Sequence, residues 1–194
     1  MNQTENIISK LRSSTGALHT ALEDTPLSMS LMDETGSMKN YITYLLKMRD
    51  ILAFYEKNIF PALTDIIPDL SKREKLNLID KDLNYLIPER PDTTSGFEPQ
   101  LSNHPSSAYA LGCMYVLEGS TLGGRVILKH IAHSLEILPD TGGAFFAGYG
   151  EKTGSLWKGF LQSLNEYAEN NISDEEIIEG AKDTFTSIKK YFEI

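Results

Sequence analysis

Apolar positions recur along this chain at intervals of three and four residues, the period of helices that each bury one face. Residues 6–23 carry Leu11, Leu18 and Leu22 on one stripe, with Pro26 just past the end, which predicts a first helix. From 37 to about 60, Tyr41, Leu45, Met48, Leu52 and Tyr55 repeat at helical spacing and Pro61 closes the segment. Residues 71–86 read as a third, charged helix, with Ser71 and Glu74 in a capping-box pattern. A loop holding Pro88, Pro91, Gly96 and Pro99 spans 87–103. A long apolar helix is expected from Pro105, a first-turn proline, to about Leu135. Residues 139–150 read as loop because of their four glycines. Helices follow over 153–169 and 173–192, the latter opened by Ser173 and Glu176 in a second capping-box pattern. No alternating run with hairpin chemistry and no internal repeat appears. The pattern predicts an all-α protein, one domain over residues 1–194.

Inside the long apolar helix, Gly119, Gly123 and Gly124 fall within six residues. At about 1 kcal/mol each relative to alanine, they cost the helix about 3 kcal/mol. Bare backbone there serves one of two ends: another helix packs very close, or a flat ligand lies against it. Ala108, Tyr115, Gly119, Gly123 and Val126 share one side of the helix and form a trough. On this segment alone both explanations stand.

Composition narrows the function classes. The chain has 194 residues, 41% hydrophobic and 23% charged, as expected of a soluble globular protein that buries a substantial core. No apolar run reaches the roughly 20 residues of a membrane helix, and the polar N-terminus lacks a signal-peptide core. A cytoplasmic protein is the expectation. A net charge of −9 argues against a general nucleic-acid binder. The single cysteine, Cys113, lies among Leu111, Met114 and Val116 and reads as buried apolar filler. Nucleophile-elbow and phosphate-loop signatures are absent. The charged run 72–75 reads as a solvated face.

Among the histidines, His104 precedes a proline and reads as loop. His130 and His133 stand three apart on the glycine helix, His130 on the Gly119/Gly123 side, without an accompanying metal-binding motif. His19 has better company. On the first helix Arg12, Thr15, His19 and Glu23 fall on one face beside the leucine stripe. Glu23 sits one turn beyond His19, where its carboxylate can accept the Nδ1 proton and leave Nε2 free for a metal. The same spacing also suits an ordinary surface pair.

The segment Leu11-Arg12-Ser13-Ser14-Thr15-Gly16-Ala17-Leu18-His19-Thr20-Ala21-Leu22-Glu23, together with Glu118-Gly119-Ser120-Thr121-Leu122-Gly123-Gly124-Arg125, resembles the heme oxygenases. The closer likeness is to the soluble bacterial branch, which includes enzymes that accompany bacterial phytochromes. It extends through Trp157-Lys158-Gly159-Phe160 and the segment from Glu179 to Phe185. The resemblance implies an all-α fold that holds heme b, both cofactor and substrate, between the first helix and the glycine helix. It implies conversion of heme with O2 and electrons to biliverdin, carbon monoxide and ferrous iron. A ferredoxin- or flavodoxin-type donor supplies the electrons, and a bacterial phytochrome is a candidate biliverdin acceptor. His19 matches the iron ligand and Glu23 the acid that hydrogen-bonds it. Arg12 matches a propionate partner, Thr15 and Tyr115 line the pocket, and Gly119 and Gly123 match the distal glycines. Phe185, and beyond it Phe192, match aromatics of the last helix that touch heme.

Two departures stand out. Ser120 occupies the position where animal members carry an aspartate that organises the distal water network. Trp157 and Leu161 fall where those members present basic residues to the propionates, leaving Lys158 and Arg125 as nearby cations. A heme carrier of the same fold without turnover, and a non-heme member of the fold, are the competing expectations.

Overall fold

The computed structural model describes residues 6–89, 96–101 and 106–194. Among them are eight α-helices and no strand: α1 (Ile7–Glu23), α2 (Pro26–Met29), α3 (Met38–Asn58), α4 (Leu76–Leu86), α5 (Ser107–Ser134), α6 (Ala144–Ala147), α7 (Thr153–Asn170) and α8 (Asp174–Phe192). The all-α expectation holds: five of the six expected helices appear as α1, α3, α5, α7 and α8, and the sixth, expected over 71–86, as the shorter α4. Asn6 caps α1 by accepting from Ser9 N at 2.9 Å, the short-polar-residue device that satisfies a free amide of the first turn. Tyr41, Leu45, Met48, Leu52 and Tyr55 are all buried along α3. Pro61 lies in a 3-10 turn, Phe60–Leu63, directly after that helix.

Both capping boxes read from the sequence are replaced by contacts from afar. Ser71 lies in a separate 3-10 turn, Leu70–Lys72, and α4 begins only at Leu76. Its free amides go to Glu56 of α3, whose Oε1 accepts from Lys75 N at 2.6 Å and Leu76 N at 3.2 Å. Burial, the larger influence, pushes the Glu56 carboxyl upward, and these amides pull it back. At α8, Ser173 makes no side-chain cap, and Glu176 instead accepts from the Ser106 hydroxyl at the start of α5. Asp174, Glu175 and Glu176 supply negative charge to the first turn of α8, where the helix dipole favours it. Ser106 also caps α5, accepting from Tyr109 N at 3.1 Å. His104 and Pro105, with residues 90–95 and 102–103 of the expected loop, lie outside the described residues.

The segment 139–150, expected as loop, contains the short helix α6. Its first amides, Ala144 N and Phe145 N, donate to the buried carboxylate of Asp82 on α4 at 2.7 and 2.8 Å. Tyr41 donates to the Gly142 carbonyl at 2.6 Å, where a φ of +106° suits glycine.

At the centre α8 packs along α5 and then along α1, and α7 touches both α1 and α5. The α5–α8 crossing brings backbones together. A Cβ at Gly112 would stand 1.9 Å from the Ile177 carbonyl oxygen, and one at Gly180 would stand 2.2 Å from that of Tyr109. Neither carbonyl can swing aside without breaking its helix. Cys113, beside this crossing, is fully buried as expected, and burial pushes its thiol up to about 12. Gly180→Ala is expected to destabilise the protein by about 2 kcal/mol net, because overpacking outweighs the gain of about 1 kcal/mol in helix propensity. The midpoint of urea unfolding checks this; an unchanged or raised midpoint would contradict the close crossing.

Candidate functional site

The glycines of α5 divide between the two explanations. A Cβ on Gly124 would meet the Phe146 carbonyl oxygen at 2.8 Å, so Gly124 serves close packing against α6. Gly119 would meet only the Trp157 ring edge, at 3.6 Å, and Gly123 nothing within 4 Å. Gly123 thus leaves bare backbone facing open space, and Gly119 leaves it facing the Trp157 ring with no backbone pressed against it. The trough runs outward from buried Ala108, past half-buried Tyr115 and Gly119, to Gly123 and Val126, the last 63% exposed.

On α1, His19 Nδ1 lies 3.3 Å from Glu23 Oε2, with both side chains more than half exposed. A donor Nδ1–H directed to this carboxylate leaves Nε2 with a free lone pair. The His19 ring meets Phe185 of α8 edge to face, centroids 5.7 Å apart. One turn and two turns earlier on the same helix come Thr15 and Arg12. Thr15 is buried and donates its hydroxyl proton to the Leu11 carbonyl at 2.7 Å. Arg12 is exposed, and its guanidinium lies near enough to the Tyr115 phenol of α5 to act on it electrostatically. Burial raises the Tyr115 phenol above its ordinary range, and the Arg12 guanidinium opposes that rise. Tyr115 in turn meets Trp157 of α7, centroids 5.5 Å apart. His19 of α1 thus meets Phe185 of α8, and Tyr115 of α5 meets Trp157 of α7, whose ring edge lies beside Gly119.

Other expected residues lie looser. Ser120 is exposed, and its hydroxyl donates to the Leu117 carbonyl at 2.8 Å, while Thr121 does the same to Glu118 at 2.6 Å. Such back-bonding tends to bend helices, and here it flanks Gly119. The Ser120 oxygen retains acceptor capacity, but its proton is engaged. Arg125 and Lys158 are exposed on α5 and α7. Phe192 is buried against Tyr44, centroids 5.2 Å apart. His130 Nε2 lies 3.1 Å from the Asp33 carbonyl oxygen, and His133 is exposed. Among the described residues no group of three or more His, Cys, Asp or Glu side chains could hold a metal ion.

Of the run 72–75, Lys72 and Glu74 are exposed as expected, but Arg73 and Lys75 turn inward. Arg73 is only 2% exposed and Lys75 is equally buried, both paired to Glu118, which is 1% exposed. Arg73 Nη1 reaches Glu118 Oε2 at 2.5 Å, and Lys75 Nζ reaches Oε1 at 2.5 Å. Tyr149 donates to the same Oε1 at 2.7 Å. Asp69 holds the other edge of the guanidinium, 2.7 Å from Nε. Two cations and two carboxylates balance, as a buried cluster must. Burial alone would lower the Arg73 pKa; the two carboxylates more than reverse this. One signal of the cluster was present in the sequence: Glu118 is the sole charge between 106 and 124, with no cation one turn away to pair it.

These features define a class: an all-helical protein in which a histidine–carboxylate pair on one helix accompanies a side-chain-free stretch on another. The model of the heme oxygenase family matches residues 5–194, and the chain belongs to that family. No curated protein sequence matches it. Among solved structures, the NO- and CO-bound heme oxygenase of Neisseria meningitidis is similar at 25% identity and TM-score 0.78, covering 97% of this chain and 93% of that one. The heme oxygenase of Leptospira interrogans shares the fold at 15% identity and TM-score 0.79, over 97% and 99% of the two chains. Heme oxygenase-1 of the cyanobacterium Synechocystis, solved in complex with heme, shares it at 15% identity and TM-score 0.75, over 97% and 91%. Among the described residues no helix is long and apolar enough to cross a membrane.

Proposed function

We propose that this chain is a heme-degrading monooxygenase. It binds heme b between α1 and α5 and uses O2 and electrons from a ferredoxin- or flavodoxin-type donor to form biliverdin, carbon monoxide and ferrous iron. The observation that carries the proposal is the pairing of an oriented His19 with the bare backbone at Gly119 and Gly123, within this family. Bound heme supplies both the iron that takes up O2 and the carbon that is oxidised.

The chain's own groups do the rest. His19 Nε2 is the ligand, and Glu23 fixes its tautomer through Nδ1. Phe185 supports the imidazole from α8. Arg12, exposed beside Tyr115, can take a propionate, and Arg125 and Lys158 are the nearby cations for the second carboxylate. Gly119 and Gly123 leave room on the oxygen side and keep strong side-chain acids away from it. A bacterial phytochrome is a candidate acceptor of the product.

The engaged proton of Ser120 gives a second reading some weight: a heme carrier of the same fold. One assay separates the two. The purified chain with added hemin should give a Soret band, and with ferredoxin and its reductase, or with ascorbate, should pass to a biliverdin spectrum. Intact heme under both reductants would leave the carrier; no heme uptake would end both readings.

A further inference from the structure

The guanidinium of Arg73 joins two of the walls around Gly119 from behind. Nη1 donates to Glu118 Oε2 at 2.5 Å, and Nη2 donates to the Leu156 carbonyl oxygen at 3.1 Å. Glu118 immediately precedes Gly119, and Leu156 immediately precedes Trp157. The Trp157 ring edge is also what a Cβ on Gly119 would meet, at 3.6 Å. One planar cation therefore ties α5 to α7 a single residue behind the point where the two helices face each other. Asp69 locks the guanidinium from its far edge at 2.7 and 3.1 Å. Lys75 and Tyr149 hold the second oxygen of Glu118 at 2.5 and 2.7 Å. The cluster is thereby stiffened on every side. Stability alone does not require a fork here, because a point charge would neutralise Glu118. The planar guanidinium, with several donors in a fixed fork, reaches the carboxylate on α5, the carbonyl on α7 and Asp69 at once.

We propose that Arg73 is a positioning residue: by bridging Glu118 and Leu156 it sets the gap between the Gly119 backbone and Trp157, and so the space above the oxygen side of heme. This rests on the heme-binding function proposed above. It adds to that function a residue outside the pocket which governs distal geometry without touching the substrate.

Trp157 is the single tryptophan of the chain, so its emission reports this contact without any ligand. The test compares Arg73→Lys with the unaltered protein, both checked for native helix content by circular dichroism. In the ligand-free chain the Trp157 emission of the variant is expected to shift to the red. In the ferric heme-loaded protein the azide dissociation constant is expected to change about fivefold or more, since displacement of a positioned group by 1 Å has effects up to about 10²-fold. The hemin dissociation constant should stay within about twofold, because the ligand and cation contacts remain. Lys75→Gln, which keeps the Arg73 bridge, should lower the thermal midpoint and leave emission and azide affinity unchanged.

If Arg73→Lys fails to fold, Asp69→Asn, at the partly exposed edge, should show the same two changes more weakly. A folded variant with a lower midpoint but unchanged emission and azide affinity would reduce the cluster to a structural one and overturn the proposal. Absence of a Soret band in the unaltered protein would instead overturn the heme reading. The ligand-free emission would then still decide whether Arg73 sets the Gly119–Trp157 gap.

Discussion

His19→Ala is expected to abolish the hemin-induced Soret band of a histidine-ligated heme and to lower heme affinity by on the order of 10²-fold or more. The magnitude follows from the metal-site pattern, in which removing only the outer partner of a ligating histidine costs about 10- to 100-fold. Removing the ligand itself must cost at least as much. The side chain is more than half exposed and meets Glu23 and the Phe185 ring, so the fold should survive, with a urea midpoint near that of the unaltered protein. That separation makes the result interpretable: affinity falls while stability does not. Glu23→Gln should fall between, keeping the Soret band but weakening hemin binding by about tenfold. Spectroscopic titration measures both. A His19→Ala protein that retains a normal Soret band and affinity would place the iron ligand elsewhere and sink the proposed site.

The sequence made this half of the site legible because its determinants are local. Arg12, Thr15, His19 and Glu23 lie on one helix, and 3.6-residue periodicity is enough to put them on a common face. The same holds for the buried stripe of α3. The glycines were legible as an anomaly but not as a division of labour. Only the position of α6 shows that Gly124 meets the Phe146 carbonyl while Gly123 meets nothing. What periodicity missed was long-range pairing of polar groups. Ser71 and Glu74 satisfy a local capping rule, yet Glu56, some 20 residues earlier, holds the first amides of α4. The stretch before α4 cannot be helical in the expected register because Arg73 and Lys75 turn inward to Glu118. Asp82 likewise caps α6 from 62 residues away, inside a segment whose glycines read as loop. In each case local propensity is worth about 1 kcal/mol and is outweighed by satisfying a buried charge.

Glu118→Gln is expected to destabilise the protein by about 3–5 kcal/mol, the usual cost of removing one partner from a buried ion pair. Against a total of about 5–15 kcal/mol for a folded domain, that is a large fraction, from a change that alters no volume. The carboxylate accepts from Arg73, Lys75 and Tyr149 at once. The amide leaves two cations buried with one carboxylate, Asp69, between them, and turns an N–H donor toward other donors. The contrasting experiment replaces Glu118 with Leu, Arg73 with Met and Lys75 with Met together. Apolar groups of similar size have no charges to strand, and such replacements are often neutral or stabilising, so most of the lost stability should return. Asp69 loses its partner in that variant but is partly exposed and can be solvated. Urea unfolding of the two proteins measures both effects, and equal destabilisation of single and triple variants would contradict a desolvation origin. Recovered stability with a still-altered Trp157 emission would mean that the charges persist for placement of α5 against α7 rather than for the free energy of folding.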